Sequence, residues 1–207
     1  MEHILDAARA TGRVPLQSFG KWCIDEVDTP STHSDVCGYP SFTRLKTPIK
    51  ADWSTIHLMD DDGLVDDVVM EDTKRELQKH LQAMLLAKGH VLKTGLGLGC
   101  FVRGALAVGK ADYITVVEID PDICSVIGRE FQGNPKVRII NADAFEWQPD
   151  AEFDFCWHDI WCPRNNGLAE LHAKLMLKYE PVSKKQSAWN FPRYFMNIIN
   201  TPTGQRR

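Results

Sequence analysis

Apolar positions recur at helical spacing from Thr73 to Lys88, with Leu77, Leu81, Met84 and Leu85 on one side. Thr73-Lys74-Arg75-Glu76 opens this run as a capping-box pattern, in which the threonine hydroxyl and the glutamate carboxylate satisfy free backbone N–H groups reciprocally. Gly89 stands where a glycine would stop the helix. The spacing predicts a helix over 73–88. Beyond it, short apolar runs alternate with helical stretches. Predicted strands lie at 90–93, 113–119, 137–140 and 153–158. Predicted helices lie at 100–108, 121–131 and 166–179, the last with Leu168, Leu171, Leu175 and Tyr179 on one face. Pro121 behind Asp120 reads as a first helical residue behind its N-cap. Strands alternating with helices imply a parallel sheet with right-handed crossovers. Ligands of such sheets bind beyond the carboxyl ends of the strands.

The flanks read differently. Residues 1–40 mix Pro15, Gly20, Pro30, Gly38 and Pro40 with isolated aromatics, which predicts an irregular arm. Residues 41–47 and 54–59 read as two strands, and Asp61-Asp62-Gly63 as a tight turn. After Tyr179 the pattern offers no further strand. Trp189, Phe191, Phe195, Ile198 and Ile199 read as one terminal helix or arm. The organisation expected is a 1–72 arm and β-hairpin, a 73–180 core and a 181–207 tail. A sheet ending at its fourth strand would leave an edge to be covered by the N-terminal strands or by a second subunit, so a homodimer is possible.

The 207 residues, 43% hydrophobic and 25% charged, suit one globular domain with a small extension. A net charge of -4 gives no general basic field, which makes nucleic acid an unlikely partner. No apolar run approaches the ~20 residues of a membrane span, and Glu2 and Asp6 interrupt any leader-like block. The expectation is a cytoplasmic protein. Its six cysteines form no CxxC pair and read as reduced, mostly buried thiols. Seven acidic residues fall within 59–72, either a solvated loop or a wall facing a cationic substrate.

The chemistry concentrates at strand ends. Gly95-Leu96-Gly97-Leu98-Gly99 lies between a predicted strand and helix, where the first two glycines allow a sharp turn close to a ligand and the third allows tight helix packing. Glu118, nineteen residues after Gly99, ends the next strand, where a carboxylate can accept both hydroxyls of a ribose. Asn141-Ala142-Asp143-Ala144 follows the third strand. There Asp143 can accept from the exocyclic amine of a base, and the Ala144 N–H can donate to a ring nitrogen. Asp159 leaves the fourth strand beside the glycine turn, where it could hold an attacking amine or take its proton. The plain alternatives are a structural turn, a solvated carboxylate, a loop cap and an N-cap, respectively. His158 reads as structural, and Trp157 as core or ligand-stacking.

From about Val91 to Trp161 these residues resemble the class I S-adenosylmethionine-dependent methyltransferases, a Rossmann-like α/β fold with helices on both faces of a parallel sheet. Val116-Val117-Glu118-Ile119-Asp120 is similar to the spermidine-synthase branch. The whole pattern looks most like small methyltransferase-like proteins of phages and bacteria. Compared with that fold, the chain looks trimmed at its C-terminal side and extended by an N-terminal β-hairpin.

The resemblance implies S-adenosylmethionine as cofactor. Gly95, Leu96, Gly97 and Gly99 would line its methionine part. Glu118 would bind the ribose, Ile119 would pack on the adenine, and Asp143 and Ala144 would read the adenine edge. Asp159 would orient the nucleophile of a small or flexible acceptor. No metal is implied. Lys93 stands where many methyltransferases carry an acid. Three alternatives stay open: a non-catalytic S-adenosylmethionine or nucleoside binder, an aminopropyltransferase, and a nicotinamide-dependent oxidoreductase.

Overall fold

The computed structural model describes residues 1–29, 39, 41–50, 64–160 and 168–189. The strand expected at 54–59, the turn at 61–63, Trp161 and the arm beyond Trp189 lie outside the described residues.

Among the described residues, two sheets make up the fold. Helix α1 (Glu2–Ala8) is followed by β1 (Gln17–Phe19), β2 (Trp22–Asp28), β3 (Ser41–Lys50) and β4 (Leu64–Glu71), an antiparallel sheet in the order β1-β2-β3-β4. The stretch 1–40, expected to be irregular, therefore holds a helix and two strands of an antiparallel sheet, while the strand expected at 41–47 falls within β3. β1 has only three residues and β2 carries Asp25, Glu26 and Asp28, so neither shows a clean apolar alternation. Asp72 closes this sheet onto the rest. Its carboxylate is fully buried and accepts from the backbone N–H groups of Ala10, Thr11 and Thr43, at 2.7–2.8 Å. One member of the acidic run is thus a structural clasp.

The second sheet follows α2 (Lys74–Leu86). It contains β5 (Gly89–Thr94), α3 (Cys100–Val108), β6 (Ala111–Glu118), α4 (Pro121–Val126), β7 (Val137–Asn141), β8 (Phe155–His158), α5 (Leu168–Tyr179) and β9 (Gln186–Ala188). The order β7-β6-β5-β8-β9 is parallel throughout, a Rossmann-like arrangement. β9 corrects the expectation of a sheet ending at its fourth strand. It has only three residues, two of them polar, and its burial comes from its neighbours. Gln186 Oε1 accepts from His158 Nε2 at 3.2 Å, and Gln186 Nε2 donates to the Met176 carbonyl at 2.8 Å. The edge of β8 is thereby covered from within the chain.

Alternation along the strands divides the core. Val91, Ile114, Val116, Phe155 and Trp157 pack in one cluster with residues of α1, α2, α3 and α4. Leu92, Val117 and Cys156 face the other way, with Leu175 and Tyr179 of α5. The chain moves outward in one direction through β5, β6 and β7, and in the other through β8 and β9. β5 and β8 therefore flank the topological switch point, where the strand ends splay into a crevice. Asp120 caps α4 by accepting from Asp122 N at 2.9 Å and Ile123 N at 3.3 Å. Thr73 caps α2 by accepting from Glu76 N at 3.3 Å, but the Glu76 carboxylate points elsewhere, so only half of the expected capping box forms.

Candidate functional site

A cavity of about 550 Å³ opens at the carboxyl ends of β5, β6 and β8. Gly95, Gly97, Glu118, Ile119, Asp143, Ala144 and Asp159 all line it. Seven of the nine residues singled out from the sequence thus share one hollow. Leu96 does not line it; its side chain is buried in the core, and its N–H donates to Glu118. Gly99 does not line the cavity. A Cβ there would meet the Phe131 ring at 3.0 Å, so this glycine serves the close packing of α3.

The glycine turn is built by tight contacts. Gly95 has φ +80°, and a Cβ there would stand 2.2 Å from the Asp159 carbonyl oxygen. Gly97 has φ +55°, and a Cβ there would stand 2.7 Å from Met70 Sδ. The Leu98 N–H points at the same sulfur, at 3.3 Å. Strand β4 of the N-terminal sheet therefore lies directly over the turn.

Glu118 ends β6 with its carboxylate aimed back at this turn. Oε2 accepts from Leu96 N at 2.6 Å and Oε1 from Asp120 N at 2.9 Å. Each oxygen keeps a second acceptor direction. The Asn141 amide donates to the carbonyls of Glu118 and Ile119, both at 2.9 Å, and fixes the backbone here. Ile119 is 64% exposed at the cavity rim, an apolar surface with nothing packed on it. Asp143 Oδ1 accepts from Phe145 N at 2.8 Å, and the Ala144 carbonyl accepts from the Tyr179 hydroxyl at 2.8 Å. Both contacts hold the loop after β7 against the cavity.

Asp159 is not a solitary carboxylate. Lys93 Nζ, on a side chain only 2% exposed, donates to Asp159 Oδ2 at 3.0 Å, the Asp159 carbonyl at 3.2 Å and the Thr94 carbonyl at 3.0 Å. Burial opposes ionisation of Asp159, but the Lys93 ammonium outweighs it and holds the carboxyl below its usual range. Asp159 is thus an anion at neutral pH and a weak base. On the other face of β8, burial pushes His158 down to about 3, so the ring is neutral. It bonds to Thr94 Oγ1 and Gln186 Oε1, both at 3.2 Å, which makes it structural, as expected. Trp157 is buried and stacked on Phe101, a core residue. The Cys100 and Cys156 thiols are buried and pushed up to about 12, inert at neutral pH. Among the described residues no group of three or more His, Cys, Asp or Glu could hold a metal ion.

The cavity residues that local sequence pattern does not mark as site residues include Met70, Glu76, His80 and Trp189. Glu76 Oε1 accepts from Trp189 Nε1 at 3.0 Å and lies 3.5 Å from His80 Nε2. Lys93 did carry a signal. It is a lone cation in a strand flanked on both sides, where a buried charge requires a partner.

No protein-family model matches the chain, and no curated protein matches it. Solved structures do show a partial likeness. One is a dimethyladenosine transferase from Plasmodium falciparum, at 19% identity over 56% of this chain and 41% of that one, TM-score 0.42. Another is the 23S rRNA methyltransferase ErmE, at 21% identity over 56% and 45%, TM-score 0.44. A third is an S-adenosylmethionine-dependent methyltransferase from Clostridium acetobutylicum, at 15% identity over 53% and 44%, TM-score 0.39. The chain spans less than half the length of each. The functional reading rests on the cavity itself. Among the described residues, no helix is long and apolar enough to cross a membrane.

Proposed function

We propose that the chain binds S-adenosylmethionine in this cavity and transfers its methyl group to a small acceptor. The observation that carries this reading is the convergence of Gly95, Gly97, Glu118, Ile119, Asp143, Ala144 and Asp159 on one hollow. The donors and surfaces fit the group. Glu118 offers two carboxylate oxygens to the ribose, and the bare face of Ile119 lies beside it for the adenine. Asp143 and Ala144 stand at the far edge to read the base. Gly95 and Gly97 leave room for the amino-acid part, with Asp159 beside Gly95.

When bound, the sulfonium supplies an activated methyl carbon. The protein has to hold a nucleophile in line with it, which is mainly a matter of position. Asp159, kept anionic by Lys93, stabilises positive charge at that end of the cavity. Met70, Val69, Val68, Leu45 and Trp22 of the N-terminal sheet form the opposite wall and exclude water. That wall and the volume, within the ~300–1,000 Å³ usual for small-molecule pockets, favour a small acceptor over a polymer.

A second reading has its own support. The three N–H bonds of Lys93 are all used within the protein, so this cation has none left for a ligand carboxylate. Glu71, Glu76 and Asp159 also line that end. Such a surface suits decarboxylated S-adenosylmethionine and aminopropyl transfer.

Thermal unfolding with S-adenosylmethionine, its decarboxylated form, S-adenosylhomocysteine and NAD separates these readings. The transferase reading expects a rise in Tm with the first and third ligands. A rise confined to the decarboxylated ligand favours the second reading. No rise with any sulfur ligand rejects both. Labelled methyl incorporation into a small-metabolite mixture then separates a transferase from a binder: no incorporation despite binding rejects the transferase.

A further inference from the structure

His80 lies on α2, 2% exposed, at the wall of the cavity. Its two ring nitrogens face two different carboxylates. Nδ1 makes no hydrogen bond and stands 3.7 Å from Asp159 Oδ2. Nε2 stands 3.5 Å from Glu76 Oε1. Asp159 belongs to the cavity floor. Glu76 belongs to the outer side, where exposed Lys79 and the Trp189 indole hold it. Trp157 packs edge-on to the imidazole, with ring centroids 5.9 Å apart, and fixes the plane that points both nitrogens at their carboxylates.

An imidazole with an acceptor on each side can take a proton at one nitrogen and release one from the other. We propose that His80 is a proton relay, carrying the proton lost by the acceptor from Asp159 at Nδ1 to Glu76 at Nε2 and so to solvent. The proposal rests on the transferase reading for the source of that proton. As the acceptor forms its bond to the methyl carbon, the carbon–sulfur bond breaks and its electron pair stays on sulfur. The proton shed by the acceptor passes to Asp159 Oδ2 and on to His80 Nδ1, while Nε2 hands its own proton to Glu76 Oε1.

Lys93 holds Asp159 acidic, and His80 and Lys79 hold Glu76 acidic, so the proton rests on neither carboxylate and the relay carries it on to solvent. Among the described residues, Glu76 on its own helix and Asp159 after β8 face His80, with Lys79 and Lys93 paired to those carboxylates. His172 on α5 couples to both Asp159 and Lys93. The gaps of 3.5 and 3.7 Å are long for hydrogen bonds, and catalytic contacts commonly tighten only in the reacting complex.

The test reads the ring directly, without turnover. In the full chain with nitrogen-15-labelled histidine, His80 is expected to populate both neutral tautomers, with averaged ring-nitrogen shifts. Asp159→Asn should bias the proton to Nε2, and Glu76→Gln should bias it to Nδ1, in opposite directions. His80→Phe should remove these signals, which assigns them to this ring. One fixed tautomer, or an imidazolium that persists from pH 6 to 9, overturns the relay. So does a tautomer balance indifferent to both carboxylate variants. Loss of S-adenosylhomocysteine binding in the wild type overturns the transferase reading instead, and leaves the ring measurement standing.

Discussion

Lys93 Nζ lies 3.0 Å from Asp159 Oδ2, joining the ends of two neighbouring parallel strands at the floor of the cavity. Lys93 is buried, and Asp159 keeps a fifth of its side-chain exposure, on the cavity side. Removing one partner strands the other charge. Lys93→Met should therefore lower stability by ~3 kcal/mol, the low end for a buried pair because Asp159 still reaches solvent. Lys93→Met combined with Asp159→Asn should recover more than half of that loss. Urea denaturation of the four proteins forms the cycle, and additive losses would contradict a direct pairing.

The two cavity glycines should differ in what they tolerate. Both have positive φ, so alanine costs ~1–2 kcal/mol at either from backbone strain alone. At Gly95 the new Cβ meets a backbone carbonyl that cannot turn aside. At Gly97 it meets the far end of Met70. Gly95→Ala is expected to lower Tm by at least twice as much as Gly97→Ala. Adding Met70→Ala should relieve Gly97→Ala but not Gly95→Ala. Equal Tm losses for the two single variants would mean that Asp159 does not press on the turn.

These contacts mark what was legible in the sequence. Val91–Gly99 and Val116–Pro121 announced themselves because parallel strands and their turns are local patterns: an apolar run, a glycine set, a cap followed by proline. Lys93 and Asp159 are 66 residues apart, and nothing local pairs them. Glu76 fitted a capping box, and its carboxylate instead bonds a tryptophan 113 residues away. β9 is too short and too polar to show a period, and it is held by the long-range bonds of Gln186. Met70 reaches the glycine turn only because the antiparallel sheet folds back over it. The chemistry at strand ends was readable; the walls that enclose it were tertiary.

Glu118 offers a direct test of the nucleoside end. Its carboxylate accepts two backbone N–H bonds, and glutamine would turn an amide N–H toward one of those donors. Glu118→Gln should lose ~1.5–3 kcal/mol of stability, the scale of a bond to a charged group. Under the proposed function it should also weaken S-adenosylhomocysteine binding at least tenfold by calorimetry. Unchanged affinity in a folded variant would remove Glu118 from the ribose site.

His158 should set part of the acid limit of the fold. An exposed histidine takes its proton near 6.5, and this one, desolvated between Thr94 and Gln186, only near 3. Between those values the unfolded chain binds the proton and the folded chain does not, so stability rises with pH. The contribution is complete above about pH 6.5 and drains away as the pH falls toward 3. One proton corresponds to a slope of ~1.4 kcal/mol per pH unit. Burial also pulls His90 and His172 down, so the wild-type slope alone does not isolate this residue. The difference between wild type and His158→Gln does. Urea midpoints between about pH 4 and 6 should fall less steeply in the variant, by close to one proton's worth of slope. Parallel curves would mean that His158 is already charged in the fold, and that its bonds to Thr94 and Gln186 are arranged around an imidazolium.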